Sequence, residues 1–291
     1  NDLSGFGRCS LTAAISVISA MGIQACPLPT AILTAQTGYP HYYLDDYTDK
    51  MDIYRQEWQK MRQHFNGIYT GFVASEAQID QIFHFIDTFY TSDTFLLVDP
   101  VMGDDGIKYD MFTPKLLEKM NALVGEADII TPNLTELCLL TDADYDAIID
   151  IADTRILIDV IGELASTLLP PDSDNSNTLD SRQTSKKEKE IIVTGIHCKN
   201  EHGQKMMGNL YVSKDTRKLF AFPHVGGSYS GTGDLFASCI AAGKCRGDGI
   251  PELIQLAGTF LEQAIKDSAE ENIPYPDGTN YEKYLYMLIK K

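Results

Sequence analysis

The 291-residue chain carries 41 Asp and Glu against 24 Lys and Arg, a formal net charge of −17. Such an acidic balance excludes a nucleic-acid phosphate surface, which needs clustered cations to displace counterions. With 44% hydrophobic residues the chain can bury a substantial core, and its length suits one α/β domain over residues 1–291 rather than two.

The chain opens on a glycine turn, NDLSGFG, that runs into a helix over Ser10–Met21. A turn of this kind normally follows a strand, so a first strand is expected to be missing. Ala25–Leu33 contains a strand leading into a polar, Gly- and Tyr-containing loop through Tyr47, a candidate lid. Helical spacing then covers Met51–Phe65, followed by a strand over Gly67–Phe72, a helix over Glu76–Tyr90 and a buried strand over Thr94–Val98. Thr113 and Pro114 form an N-cap and first-turn pair for a helix to Val124, and Asp128–Thr131 is the next strand. Asn133 starts a helix with Glu136 three residues on, a variant of the capping box.

From about 170 to 190 the sequence loses apolar periodicity and becomes rich in Ser, Asp and Lys, which predicts a mobile surface insertion. Ile191–Thr194 resumes as a strand, two antiparallel strands follow around Gly208–Ser213 and Lys218–Phe222, and helices run from Thr232 to the end. Strands alternating with helices predict a mostly parallel sheet covered by helices. The six cysteines show no C-x-x-C pair, so neither a zinc site nor a disulfide framework is expected. No apolar run reaches the length of a membrane span and no basic-then-apolar leader opens the chain, so a soluble cytoplasmic protein without membrane contact is expected.

Three segments carry chemistry. In GGSYSGTGDLFASCIAAG, residues 226–243, a glycine-rich turn enters a helix with Asp234 in its first turn. Gly231 and Gly233 let backbone N–H groups approach a phosphate, and the helix N-terminus favours negative charge there. Asp234 can then accept the proton of an attacking hydroxyl, although an Asp in a first turn can also serve only the helix dipole. VDPVMGDDG at 98–106 puts Asp99 at the C-terminal end of a strand, where open α/β sheets bind ligands. ITPNLTE at 130–136 delivers Asn133 and Glu136 to the same crevice, so Asp99, Asn133 and Glu136 are candidate ligands of a hydrated Mg2+; strand-end capping and the capping box are the structural alternatives.

This ordered set, with DLSGFGRCS at 2–10, the loop around Thr37, YTGF at 69–72, VDPVMGD at 98–104, TPNLTE at 131–136, VTG at 193–195 and SGTGD at 230–234, resembles the ribokinase-like superfamily, in wording closest to its vitamin B6 kinase branch. The resemblance implies a three-layer sandwich with a mostly parallel central sheet flanked by helices, beginning with a strand that is expected to be missing here. It implies ATP-dependent phosphorylation of the 5'-hydroxymethyl group of pyridoxal, pyridoxamine or pyridoxine. Asp234 matches the catalytic base; Gly231, Thr232 and Gly233 match the anion hole around the γ-phosphate. Asp99, Thr131, Glu136 and Thr194 fall where the family contacts nucleotide phosphates or Mg2+, and Leu219, Phe220, Ala221 and Phe222 fall near the adenine. Thr37 matches a contact to the pyridine substrate. The family also implies a homodimer and leaves open a monovalent cation such as K+.

Two positions depart from that pattern. Asp2 stands where many B6 kinases have a Ser against the ring, and Phe72 where they have a Tyr. A carboxylate at Asp2 is suited to pair with a protonated pyridine nitrogen or a cationic substituent. The six histidines form neither an H-E-x-x-H pattern nor a triad and read as surface or loop residues, with His41 in the candidate lid. Trp58 reads as helix packing. Two rival functions share these residues: a hydroxymethylpyrimidine kinase of the same fold, and a non-catalytic binder of B6 vitamers or nucleotide.

Overall fold

The computed structural model describes residues 1–171 and 188–290, and most of the insertion expected at about 170–190 lies outside the described residues. In chain order, β1 (Leu3–Ser4) leads to α1 (Ser10–Ala20), β2 (Ala31–Leu33), β3 (Leu44–Asp46) and α2 (Thr48–Lys60). Next come β4 (Gly67–Thr70), α3 (Glu76–Phe89), β5 (Phe95–Val98), the short pair β6 (Gly103–Asp104) and β7 (Ile107–Lys108), α4 (Pro114–Glu126) and β8 (Ile129–Ile130). Then follow α5 (Leu134–Thr141), α6 (Tyr145–Ile149), α7 (Thr154–Ser166), β9 (Glu190–Lys199), β10 (Lys205–Val212), β11 (Arg217–Pro223), α8 (Thr232–Cys245) and α9 (Ile250–Glu270). Two 3-10 segments, Tyr275–Asp277 and Tyr281–Leu288, complete the described chain.

Six strands form the main sheet in the order β11-β10-β9-β8-β5-β4. The β4, β5, β8 and β9 strands pair in parallel, whereas β9, β10 and β11 pair antiparallel. All four residues of β5 are buried, as expected of a strand covered on both faces. Leu96 and Val98 join the cluster under α3, α4, α5 and α7, while Phe95 and Leu97 join the one under α1, α8 and α9. Each such side chain taken fully from water contributes about 1.5–3 kcal/mol, so the alternating register holds both helical layers on the sheet.

Local signals place several helix starts. Thr113 Oγ1 accepts from Leu116 N at 3.0 Å with Pro114 in the first turn, and Asn133 and Glu136 form a complete capping box. Trp58 packs among Tyr54, Phe65 and Phe85, as its helical position suggested.

Three strand readings differ from the structure. The strand expected over Gly67–Phe72 stops at Thr70, because its partner β5 stops at Val98 and Asp99 N makes the last bond, to Thr70 O at 2.9 Å. The strand expected over Ile191–Thr194 runs on to Lys199, since antiparallel pairing with β10 continues after the parallel ladder to β8 has ended. Gly195, with φ +72°, marks an irregularity inside the strand rather than its end. The polar segment through Tyr47 contains β3, which pairs with β2 in a small sheet of β1, β2 and β3.

Candidate active site

The parallel strands β4, β5, β8 and β9 end along one rim, and a crevice of about 830 Å³ opens there, closed on its other sides by the N-termini of α1 and α8 and by residues 36–38. Open α/β sheets bind ligands at this rim because the strand ends and helix starts converge on it.

At the start of α8, Gly231 adopts φ +84°, and no side chain caps the helix. The first N–H groups of α8 therefore open toward the crevice, a backbone arrangement suited to an anion. Asp234 follows in the first turn, and its Oδ2 accepts from Ser10 N, the first residue of α1, at 2.7 Å. Burial pushes the Asp234 carboxyl up to about 6; the Ser10 N–H acts in the opposite sense, and the charge of Asp2 adds to the rise.

Asp99 stands at the end of β5 with Oδ1 accepting from Thr131 Oγ1 at 2.8 Å. Burial and the nearby Asp234 charge push its carboxyl up to about 7. A carboxyl raised in this way keeps its proton in the fold at a pH where the unfolded chain has lost it, so it costs stability as pH rises through the interval from about 4 to 7. Asp99→Asn is accordingly expected to raise the Tm of the nucleotide-free protein at pH 8 by at least about 2 °C, a gain that disappears near pH 4. Thermal unfolding at the two pH values checks this, and an equal or lower Tm at pH 8 would contradict it.

Glu136 is buried and held by two backbone donors, Met102 N on Oε1 at 3.1 Å and Asn133 N on Oε2 at 2.8 Å. Burial and the Asp99 charge raise its carboxyl well above the usual range. The Asn133 amide is committed to structure, since Oδ1 accepts from Glu136 N at 2.8 Å and Nδ2 donates to Gly103 O at 2.9 Å, which locks β6 to the start of α5. Asn133 thus enters the expected metal-ligand set with both amide groups already hydrogen-bonded, as does Glu136 with both carboxylate oxygens. Among the described residues no three His, Cys, Asp or Glu side chains converge as a metal cage. An all-oxygen set with few direct ligands fits Mg2+, which keeps most of its waters.

The crevice brings together Asp234, Gly231, Thr232, Gly233, Asp99, Thr131, Glu136 and Thr194, which the sequence put forward from four separate segments. Asp2, Thr37 and Phe72 line the same space. Thr37 sits beside Gln36, whose Nε2 donates to Pro276 O at 3.0 Å, and Tyr39 donates to Asp277, so the candidate lid is tied to the C-terminal 3-10 turn.

Of the four residues expected near an adenine, only Phe222 lines the crevice. Leu219, Phe220 and Ala221 lie upstream in β11, where Phe220 is buried in the core and Ala221 is exposed. The segment that leaves β11, Pro223 to Ser228, continues that lining. His197 and His224, read as ordinary surface or loop histidines, both line the crevice with ring centroids 5.4 Å apart. The pairing of β9 with β10 and the exit of β11 bring them together, and their separation of 27 positions carries no motif.

The sheet order and the carboxylate at an uncapped helix start, opposite strand-end carboxylates, define a ribokinase-like α/β protein. The profile of the phosphomethylpyrimidine kinase family matches residues 7–169 and 163–274. The chain belongs to that family. A provisionally named phosphomethylpyrimidine kinase from Bacteroides thetaiotaomicron, crystallised in one form with pyridoxal, is 32% identical and superposes with a TM-score of 0.83 over 99% of this chain and 93% of its own. Pyridoxal kinase from Lactobacillus plantarum is 25% identical, with a TM-score of 0.79 over 99% of this chain and 94% of its own. A provisionally named pyridoxal kinase from Schizosaccharomyces pombe is 28% identical over 181 residues, which make up 61% of this chain and 46% of that protein. The match thus spans less than half the length of that curated relative. Among the described residues no helix is long and apolar enough to cross a membrane.

Proposed function

We propose that this chain is an ATP-dependent kinase that phosphorylates the 5'-hydroxymethyl group of pyridoxal, pyridoxamine or pyridoxine. The observation that carries the reading is Asp234, a carboxylate raised to about 6 in the first turn of an uncapped helix, sharing its crevice with Asp99 and Glu136. A base raised to that value is ionised at neutral pH yet basic enough to take the proton of a primary alcohol as it attacks. The N–H groups at Gly231, Thr232 and Gly233 stabilise charge spread over the transferred phosphoryl oxygens. Thr194 offers a hydroxyl to nucleotide phosphates, Thr131 a second from the neighbouring strand end once its hydroxyl turns from Asp99 Oδ1 to the phosphate, and Phe222 with the segment beyond it supplies the wall for the base of the nucleotide. Mg2+, when bound, neutralises phosphate charge, and Asp99, Asn133 and Glu136 are the residues that would hold it through its waters. Transfer is direct, from nucleotide to alcohol, with no covalent enzyme intermediate.

Thr37 and Phe72, which line the same crevice, are the substrate-facing residues in this reading. The Bacteroides thetaiotaomicron relative crystallised with pyridoxal supports a B6 vitamer in that role. The second reading is hydroxymethylpyrimidine, which too is a small aromatic ring bearing a primary alcohol; the family's description names a related pyrimidine, phosphomethylpyrimidine. The same proposal includes a single kinase domain over the chain, a homodimer, a cytoplasmic setting and a monovalent cation such as K+, all supported by family resemblance.

ADP formation measured in parallel on pyridoxal, pyridoxamine, pyridoxine and hydroxymethylpyrimidine tests the substrate. A kcat/KM at least about tenfold higher for one or more vitamers than for the pyrimidine is expected, which corresponds to about 1.4 kcal/mol of differential transition-state binding. The reverse order would assign the chain to the pyrimidine alcohol. Vitamer binding without turnover would make it a silent binder.

A further inference from the structure

Ser10, the first residue of α1, holds φ +49°. A residue with a Cβ is disfavoured in that left-handed region, and persists there only when its surroundings over-determine it. Two of its polar groups explain the persistence. Its N–H donates to Asp234 Oδ2 at 2.7 Å, and its hydroxyl donates to Asp2 Oδ1 at 2.5 Å. The second oxygen of Asp2 accepts from Ser4 Oγ at 2.7 Å. Asp2 and Ser10 are each 6% exposed and Ser4 is fully buried, so water competes weakly for these bonds.

Asp2 is itself anchored. Its carbonyl accepts from Leu11 N at 3.1 Å, and the next two residues form β1, paired with β2. A fixed carboxylate therefore grips the hydroxyl of a backbone-strained serine whose N–H holds the carboxylate of Asp234. We propose that Asp2 is a positioning residue for the base: through the Ser10 hydroxyl it holds Ser10 in the left-handed conformation that aims the Ser10 N–H at Asp234. The inference rests on the reading of Asp234 as the base. It gives Asp2 a role other than direct pairing with the substrate ring, since both of its oxygens already serve the N-terminal turn.

Glycine adopts φ +49° without a tether, and this separates the two roles of Asp2. Asp2→Ala is expected to lower kcat by about 10- to 100-fold with the vitamer KM within about threefold, the pattern of a lost transition-state interaction. Asp2→Asn keeps an acceptor for the Ser10 hydroxyl and is expected to recover most of that loss. In a Ser10→Gly background, Asp2→Ala is expected to cost less than about threefold, because coupling vanishes once the tether has no strained residue to hold. Ser10→Ala against Ser10→Gly reads the same tether from its other end: the alanine variant keeps the Cβ and loses the hydroxyl, and is expected to be the slower of the two by about tenfold or more.

A direct ring contact would appear instead as a raised KM for Asp2→Ala in both backgrounds, with Asp2→Asn as damaging as Asp2→Ala; either result overturns the proposal, as does equal loss in Ser10→Ala and Ser10→Gly. Amide hydrogen exchange at position 10 supplies a readout that needs no turnover. Exchange at least about tenfold faster in Asp2→Ala, and near the parent rate in Asp2→Asn, is expected, and unchanged exchange in Asp2→Ala overturns the tether. If the parent phosphorylates none of the alcohols, the kinase reading fails and the exchange measurement still decides whether Asp2 positions Ser10.

Discussion

Asp234→Asn is expected to lower kcat for the preferred vitamer by about a thousandfold while the vitamer Kd stays within about threefold, because removing a positioned base typically costs between about 10²- and 10⁴-fold and touches binding little. Asn matches Asp in size and can still accept the Ser10 N–H that the carboxylate accepts at 2.7 Å, so the start of α8 keeps its contact with α1. What is lost is the capacity to take a proton. The pH dependence follows with a definite sign. Burial raises the Asp234 carboxyl to about 6, and the base acts only when ionised, so kcat/KM is expected to fall about tenfold per pH unit below about pH 6. An unshifted carboxylate would keep its activity down to about pH 4. The residual activity of Asp234→Asn is expected to lack this acid limb. Steady-state rates from pH 4.5 to 8.5, with direct vitamer titration, check both points, and an acid limb unchanged in the variant would assign the base elsewhere.

The second large effect separates two glycines of the SGTGD turn. A Cβ on Gly231 would lie 2.2 Å from Arg8 O and 2.8 Å from Cys9 Cα, both backbone atoms, on a residue that already holds φ +84°. Gly231→Ala must therefore push the chain before α1 away from α8 and adopt a left-handed conformation, for a combined cost of about 2–5 kcal/mol. For a chain of this size that corresponds to a Tm lower by roughly 3–8 °C. The displaced segment ends at Ser10, so the hydrogen bond to Asp234 goes with it and kcat is expected to fall at least about 100-fold. Gly233 behaves oppositely. A Cβ there meets nothing within 4 Å, and the residue lies inside the first turn of α8. Gly233→Ala is expected to leave the Tm equal or slightly higher, since alanine suits a helix better by up to about 1 kcal/mol. Its methyl enters the space where a phosphate approaches the helix N-terminus, so kcat/KM for ATP is expected to fall at least about tenfold. Melting curves and ATP kinetics on the pair test this, and matched losses of stability would remove the distinction.

Much of the fold was legible because the signals are local. The caps at Thr113 and Asn133 each satisfy backbone donors within three residues, and the apolar run Phe95–Val98 can be buried on both faces only as an inner strand. Strand ends were harder to read, because the neighbour decides where a ladder stops: β4 ends with β5, and β9 outlasts its parallel partner by pairing with β10. In β11 the alternation of side chains was visible, yet which part reached the crevice depended on the antiparallel edge, and three of four residues fell outside it.

By itself the sequence determined the layered α/β architecture, the glycine turn at the start of α8 and the set of carboxylates at strand ends, since each follows from periodicity, capping or the chemistry of a short segment. Only the tertiary structure decided how those groups act on one another. Burial among like charges raised Asp99 and Asp234, the capping box claimed Asn133, and packing of α1 against α8 set Asp2, Ser10 and Asp234 in a single chain of hydrogen bonds. These are interactions between residues as much as 232 positions apart (Asp2 to Asp234), and desolvation and hydrogen-bond geometry at such separations exist only once the chain has closed on itself.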